Sequence, residues 1–284
     1  MNKISVIGGD KRIAELIKIL QENANNEIIV YGMENYEEFV NNSNVTKANN
    51  LQEAINSSEK IITSIPLSKD GKIVNSPFSN ETIYVKDIFE IAKNKKIITG
   101  NIPENNALGN NNENEIIDIL KLDELAILNA IPTVEGAIQV AMEKSNITIH
   151  NSNCLVMGFG RIGKILSKML LGIGANVFCE ARKSTDLAFI QALGYNAIDI
   201  KNLKEYLNKF DFIFNTIPHI ILNEECLKIV NKDCCIIDLA SKPGGIDFEA
   251  AKKLEIKTEW ALALPGKVAP KTSAKYIYEI IKDL

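Results

Sequence analysis

The sequence predicts an α/β protein of two Rossmann-like domains with parallel sheets, a cleft between them and a long interdomain helix joining them. Three observations predict it. Strand-like and helix-like stretches alternate along the whole chain, the pattern that builds parallel sheets. Gly158, Gly160 and Gly163 form a G-x-G-x-x-G frame, with an apolar run before it and an amphipathic run after it. That frame lies in mid-chain, and 284 residues are enough for about two domains, so a domain-sized segment precedes it.

Bulk properties narrow the function. Charged residues make up 24% and hydrophobic residues 46%, as in an ordinary globular chain. The net charge of -4 and the absence of a basic stripe argue against nucleic acid as a partner. No secretory signal is read at the N-terminus, because residues 1–7 look like a first strand. No apolar run reaches the roughly 18 residues of a membrane span, so no membrane partner is expected. The five cysteines lack metal spacing and are read as reduced, mostly buried thiols of a cytoplasmic protein.

In chain order, residues 4–7 are a strand, Gly8-Gly9-Asp10 a turn and residues 11–20 a helix. Residues 28–31 close a first β-α-β unit. It lacks the dinucleotide frame, and Asp10 at the helix start would repel a pyrophosphate, so Asp10 is read as a helix cap. Residues 60–66 and 95–99 are strands whose ends carry Ser64 and Asn101, and ligands of parallel sheets bind beyond such ends. Turn chemistry explains both residues equally well. The asparagine-rich residues 105–114 are a surface loop. Residues 116–120 are read as helical and 125–128 as extended. Asn129 to Pro132 then turn into a helix at 133–144, with Thr133 as N-cap and Glu135 in its first turn. That interdomain helix leads into the cofactor domain. The expected domains are therefore 1–130, for substrate or partner, and 131–284, for the cofactor. The C-terminal helix 270–284 is placed to pack back on the first.

In the glycine frame, Gly158 permits the tight turn. Gly160 lets backbone N–H groups approach a pyrophosphate, and Gly163 lets helix and strand pack closely. Phe159, Arg161 and Ile162 complete the turn, and the helix N-terminus supplies N–H donors. A glycine-rich turn that binds nothing is the plain alternative. The next strand, 175–179, ends near Glu180-Ala181-Arg182-Lys183-Ser184. With Ala181 at the ribose position, Arg182, Lys183 and Ser184 suit a 2′-phosphate and favour NADP. If the strand ends one residue earlier, Glu180 becomes the ribose acid and NAD is favoured. The strand at 210–218 brings Thr216, Ile217 and Pro218 to the cofactor, and the strand at 234–239 brings Ala240.

The polar set facing the expected cleft is Ser64, Asn101, Thr133, Glu135, Thr216, Ser241, Lys242, Lys267 and Lys271. Ser64, Asn101, Thr133, Ser241 and Lys267 are candidate substrate contacts, and Glu135 and Lys242 candidates for the chemical step. Lysines near a nicotinamide suit an anionic substrate, although solvated lysines are the commoner case. Only two histidines occur, His150 and His219, and neither sits in a metal-like or triad-like cluster.

Six stretches together resemble the A-subunit family of dipicolinate synthase: I-S-V-I-G-G-D-K-R (4–12), N-A-I-P-T-V-E-G-A-I (129–138), V-M-G-F-G-R-I-G (156–163), N-T-I-P (215–218), D-L-A-S-K-P-G-G (238–245) and L-P-G-K-V-A-P-K-T (264–272). The likeness runs from the first strand to the last helix. It implies an oxidoreductase of spore formation that oxidises dihydrodipicolinate, a small dicarboxylate, to dipicolinate with hydride transfer to NADP. It also implies work with a flavoprotein-like B-subunit of dipicolinate synthase, in an oligomer, in the mother-cell cytoplasm. Lys242 and Lys267 depart from the arginine and apolar residue expected there, and a lysine cannot fork onto a carboxylate. Two other readings stand beside this one. One is a 2-hydroxyacid dehydrogenase-like enzyme, weakened by the lack of a histidine at 264–269. The other is a non-catalytic NADP(H)-binding scaffold.

Overall fold

The computed structural model describes residues 2–36, 43–102 and 113–284. The expected loop at 105–114 lies mostly outside them. The chain divides into two compact units, residues 1–129 with 269–284, and residues 130–268.

The first unit begins with β1 (Asn2–Ile7), α1 (Lys11–Gln21) and β2 (Asn26–Tyr31). Next come β3 (Val45–Lys47), α2 (Leu51–Asn56), β4 (Lys60–Thr63), α3 (Val85–Ile91), β5 (Lys96–Thr99) and β6 (Glu115–Asp118). The sheet is wholly parallel, in the order β3-β2-β1-β4-β5-β6. Its central strands are buried from Ile4 to Ile7 and from Ile61 to Thr63, the polar Ser5 included, because helices cover both faces.

α4 (Asp123–Lys144) begins in this unit and ends in the next. The second unit continues with β7 (Asn153–Met157), α5 (Arg161–Gly172), β8 (Asn176–Ala181), α6 (Ser184–Ala192) and β9 (Asn196–Asp199). Then follow β10 (Phe212–Asn215), α7 (Glu224–Leu227), β11 (Cys235–Asp238), α8 (Phe248–Lys253), β12 (Lys257–Trp260) and α9 (Leu264–Val268). Its sheet is also parallel, in the order β12-β11-β10-β7-β8-β9. This is the doubly wound order in which one mononucleotide-binding half is β7-β8-β9 and the other β10-β11-β12.

α10 (Pro270–Ile281) returns to the first unit, where Ala274, Ile277 and Ile281 join Ile13, Leu16 and Ile17 of α1 in one core. Ile277 is fully buried. Ile277→Ala is therefore expected to lower unfolding stability by about 3 kcal/mol, the usual cost of emptying such a site. Denaturant titration measures it. A loss under about 1 kcal/mol would mean that α10 is not part of this core.

Three expectations need correction. Residues 116–118 are not helical but pair as part of β6 in register with β5, and only Ile119–Lys121 form a short 3-10 turn. Residues 125–128 are not extended but lie inside α4, which runs through Pro132 without a break. Thr133 is therefore no N-cap, and Glu135 is not in a first turn. The local proline bias is overridden by packing, since Leu125 is buried in the first core and Val134, Ala137 and Ala141 in the second. At 22 residues α4 is also long and apolar enough to cross a membrane, a length hidden in the sequence by the expected break at Pro132. Only 39% of that apolar window is buried, with Ile127 and Met142 exposed.

Candidate functional site: a dinucleotide turn in the second unit

The glycine frame sits where β7 enters α5. Gly158 has φ +87, a conformation costly for any residue with a Cβ. A Cβ there would also lie 2.6 Å from Thr216 Oγ1. A Cβ on Gly163 would collide with the Gly158 carbonyl oxygen, whereas at Gly160 nothing lies within 4 Å. Gly160 is the N-cap of α5 and supplies no side-chain cap, and no acid stands in the first turn. The open N–H groups, the space above Gly160 and the helix dipole fit a pyrophosphate.

The equivalent turn of the first unit is closed. Asp10 caps α1 by accepting from Arg12 N at 3.0 Å and forms an ion pair with the Arg12 guanidinium at 2.8 Å. Arg12 also donates to the Ile65 carbonyl. A carboxylate thus occupies the place where a phosphate would bind. A cavity of about 830 Å³ also belongs to the first unit, at the amino ends of its strands near Lys3, Lys60 and Lys96. Parallel sheets bind ligands at the opposite ends, so the site is placed at the turn of the second unit.

β8 runs through Ala181, which puts Arg182 first beyond the strand. Arg182, Lys183 and Ser184 are exposed. Glu180 is 1% exposed, and its carboxylate accepts from Gly158 N at 3.2 Å. Burial raises its pKa above the ordinary carboxylate value, while the Gly158 N–H bond and the nearby Arg182 charge pull it down. The folded protein therefore holds this proton more readily than the unfolded chain. The ionised form costs stability as pH rises through the ordinary carboxylate value toward the raised one. Glu180→Gln, which keeps an acceptor for Gly158 N, is expected to raise Tm by a few degrees at neutral pH and by nothing in acid below the carboxylate range. An equal shift at both pH values would contradict this.

The cofactor nominees differ in what they can offer. Phe159 is buried against the core, its ring 6.4 Å from that of Tyr195, so only its backbone is available to the turn. Ile162 packs on the same core. Arg161 is exposed and opens α5. Thr216 donates from its hydroxyl to Met157 O at 2.8 Å, tying the end of β10 to the turn. Ile217 N donates to Asn215 Oδ1 at 3.1 Å, and Pro218 is exposed. Ala240 is buried, donates from N to Asp238 Oδ1 at 3.0 Å and accepts from Trp260 Nε1 at 2.8 Å.

The nominated substrate and catalytic residues fare unevenly. Ser241 and Lys242 are exposed on the loop after β11, in the same unit as the turn. Ser64 is fully buried, and its hydroxyl donates to Leu67 O at 2.9 Å, so it closes its own loop instead of facing a substrate. Asn101 is exposed with φ 57, a turn conformation asparagine tolerates, at the end of β5. Thr133 is half-buried and Glu135 exposed in mid-helix, so the dipole no longer favours an acid there. Lys267 is exposed on α9 beside a cavity of about 340 Å³ shared with Glu143 and Glu259. His150 lies against the Ile173 carbonyl at 3.2 Å, and His219 is exposed. The five thiols are buried, with Cys179 pushed up to about 12 by desolvation. No metal-ligand cluster occurs among the described residues.

One feature is not evident from the sequence. Asp238 and Asn215, both fully buried, form a hydrogen-bonded pair at 2.7 Å where β11 and β10 end. An acid at a strand end followed by a Gly-Gly turn is the signal that could have found it.

Residues 133–243 match the family described as D-isomer specific 2-hydroxyacid dehydrogenase, NAD binding domain. With the turn at Gly158, this defines the class: an oxidoreductase that uses a nicotinamide dinucleotide. Residues 3–120 match the family described as the N-terminal domain of the dipicolinate synthase A-subunit. The dipicolinate synthase A-subunit of Bacillus subtilis (strain 168) is 34% identical over 287 residues, spanning 99% of this chain and 95% of that one. The chain belongs to the dipicolinate synthase A-subunit family. The crystal structure of the Bacillus halodurans A-subunit superposes with a TM-score of 0.88 at 30% identity, covering 99% of this chain and 97% of that one. A transhydrogenase from Sinorhizobium meliloti, at 15% identity and a TM-score of 0.69 over 99% of this chain and 93% of that one, shares the fold alone.

Proposed function

We propose that this chain oxidises dihydrodipicolinate to dipicolinate, with hydride passing to NADP, as the A-subunit of a two-subunit synthase in the mother-cell cytoplasm of a spore former. The observation that carries the reading is the uncapped α5 turn, present in the unit that continues into the D-L-A-S-K-P-G-G loop. The bound dinucleotide supplies the hydride acceptor. The backbone at Gly158 and Gly160 would hold its pyrophosphate, with Gly163 letting α5 pack closely enough on β7 to present it. NADP is favoured because β8 extends through Ala181 and Glu180 is engaged with Gly158 N, leaving exposed Arg182 for a 2′-phosphate.

The substrate is a dianion, and Lys242 with Ser241 is the cationic, hydrogen-bonding pair proposed to receive it, with Lys267 of the same unit as a further contact. Hydride and a proton leave the ring, and gain of aromaticity drives the step. The residues therefore need mainly to orient the ring carbon. No strong histidine base is required, in keeping with the positions of His150 and His219. Glu135 is given no step.

The test is NADPH formation on enzymatically generated dihydrodipicolinate, by the purified chain alone and with a flavoprotein-like B-subunit. NADPH and dipicolinate formed together by the chain alone carry the reading. Formation of dipicolinate with the nucleotide unchanged would sink it.

A further inference from the structure

Asp238 has no role yet, and its surroundings are unusual. It ends β11 and is fully buried. Its Oδ1 accepts from Asn215 Nδ2 at 2.7 Å and from Ala240 N at 3.0 Å, and its Oδ2 from Gly245 N at 2.8 Å. Every one of these partners is a neutral N–H donor. That is the setting of an ionised carboxylate, which can only accept. Among the described residues no lysine or arginine forms an ion pair with it. A buried charge without a counter-ion is costly, and a loop can be tethered by a neutral asparagine or serine without that cost.

The pair is packed in from above. A Cβ on Gly244, whose φ is +85, would lie 2.8 Å from Asp238 Oδ2, and a Cβ on Gly245 would collide with Asn215 Nδ2. Asn215 in turn holds both N and O of Ile217. The buried charge therefore sits directly beneath two loops, 216–218 and 240–245. Both leave the carboxyl ends of the half-sheet β10-β11-β12, the half that receives the second mononucleotide when the first occupies β7-β8-β9. In a nicotinamide dinucleotide that second moiety carries the redox change. Its ring is a cation when oxidised and neutral when reduced.

We propose that Asp238 is a specificity-determining residue for redox state, its buried charge favouring the oxidised over the reduced dinucleotide, so that the acceptor form is selected for binding and the reduced product is released. A fixed negative charge in a poorly screened interior stabilises only the charged form of the ring. The two loops hold the carboxylate away from water that would otherwise weaken this effect. The inference rests on the dinucleotide reading above.

The test titrates NADP+ and NADPH separately into the wild-type chain, Asp238→Asn and Gly244→Ala, each checked for folding by circular dichroism. The wild type is expected to bind NADP+ at least as tightly as NADPH. Asp238→Asn is expected to raise the ratio of the NADP+ to the NADPH dissociation constant about tenfold, chiefly by weakening NADP+. Gly244→Ala strains the same loop but keeps the charge, so the two constants should move together and the ratio stay within about twofold. A folded Asp238→Asn whose ratio stays within about twofold of wild type overturns the proposal, leaving Asp238 a loop anchor. Wild-type protein that binds NADPH more than about tenfold more tightly than NADP+ overturns it without any variant. Failure of the wild type to bind either form would overturn the dinucleotide reading and this one together.

Discussion

Replacing Arg182 by alanine is expected to weaken NADP binding about thirtyfold to a hundredfold while changing NAD binding less than about threefold. The two cofactors differ only at the adenosine ribose, where NADP carries a phosphate and NAD a hydroxyl. β8 carries the chain through Ala181, so Arg182 is the first side chain past the strand end, and it is exposed. A guanidinium forks onto phosphate oxygens, and losing such charge-assisted hydrogen bonds costs about one to two orders of magnitude in affinity. Glu180 is held on Gly158 N and buried, which turns its carboxylate away from a ribose hydroxyl. Titration of each dinucleotide into wild type and variant measures the effect. Equal losses for both would mean that Glu180 reads the ribose and that the enzyme prefers NAD.

The largest effect on stability is expected at Gly163. A Cβ there would meet the Gly158 carbonyl oxygen, a backbone atom that cannot swing away. Gly163→Ala should therefore force α5 off β7 and cost about 3 kcal/mol, at the upper end of overpacking. Thermal unfolding reads this as a lower Tm, with dinucleotide binding lost. Gly160→Ala separates fold from function. Nothing lies within 4 Å of its Cβ, so the fold should hold while the added methyl group occupies the pyrophosphate's approach. A folded Gly160→Ala with wild-type affinity would show that the turn does not bind the cofactor.

Much of the fold was legible because its signals are local. The β-α-β openings at residues 4–31 and 154–179 combine buried strands, glycine turns and helices with one apolar face, and each signal lies within a few residues of the next. What was missed depends on distant contacts. β3 and α2 are short, and α2 buries only Ala54 and Ile55. α3, α8 and α9 are likewise single turns or two, with five to seven residues each. The Ile-Ile-Asp-Ile-Leu pattern at 116–120 fits either period, and only pairing with β5 makes its first part a strand. Pro132 points to a helix boundary by every local rule, yet packing on both sides keeps α4 whole.

The site divides in the same way. The glycine frame could be read from spacing, whereas the end of β8 stands open between two registers until pairing with β9 carries it through Ala181. The burial of Ser64 and the mid-helix places of Thr133 and Glu135 could not, because they follow from what folds over or through them. The Asp238–Asn215 pair joins residues 23 apart in the chain, which only sheet topology brings side by side.

The central claim is that a hydride leaves the dihydropyridine ring for a nicotinamide held at the Gly158 turn. The most direct measurement supplies dihydrodipicolinate deuterated at the ring carbon that gives up hydride, together with NADP, the chain and the proposed partner subunit, and weighs the NADPH formed. The account predicts one deuterium in NADPH, on the nicotinamide ring, for each dipicolinate made, and loss of both products in Gly160→Ala. Dipicolinate formed with no label in the nucleotide would contradict it.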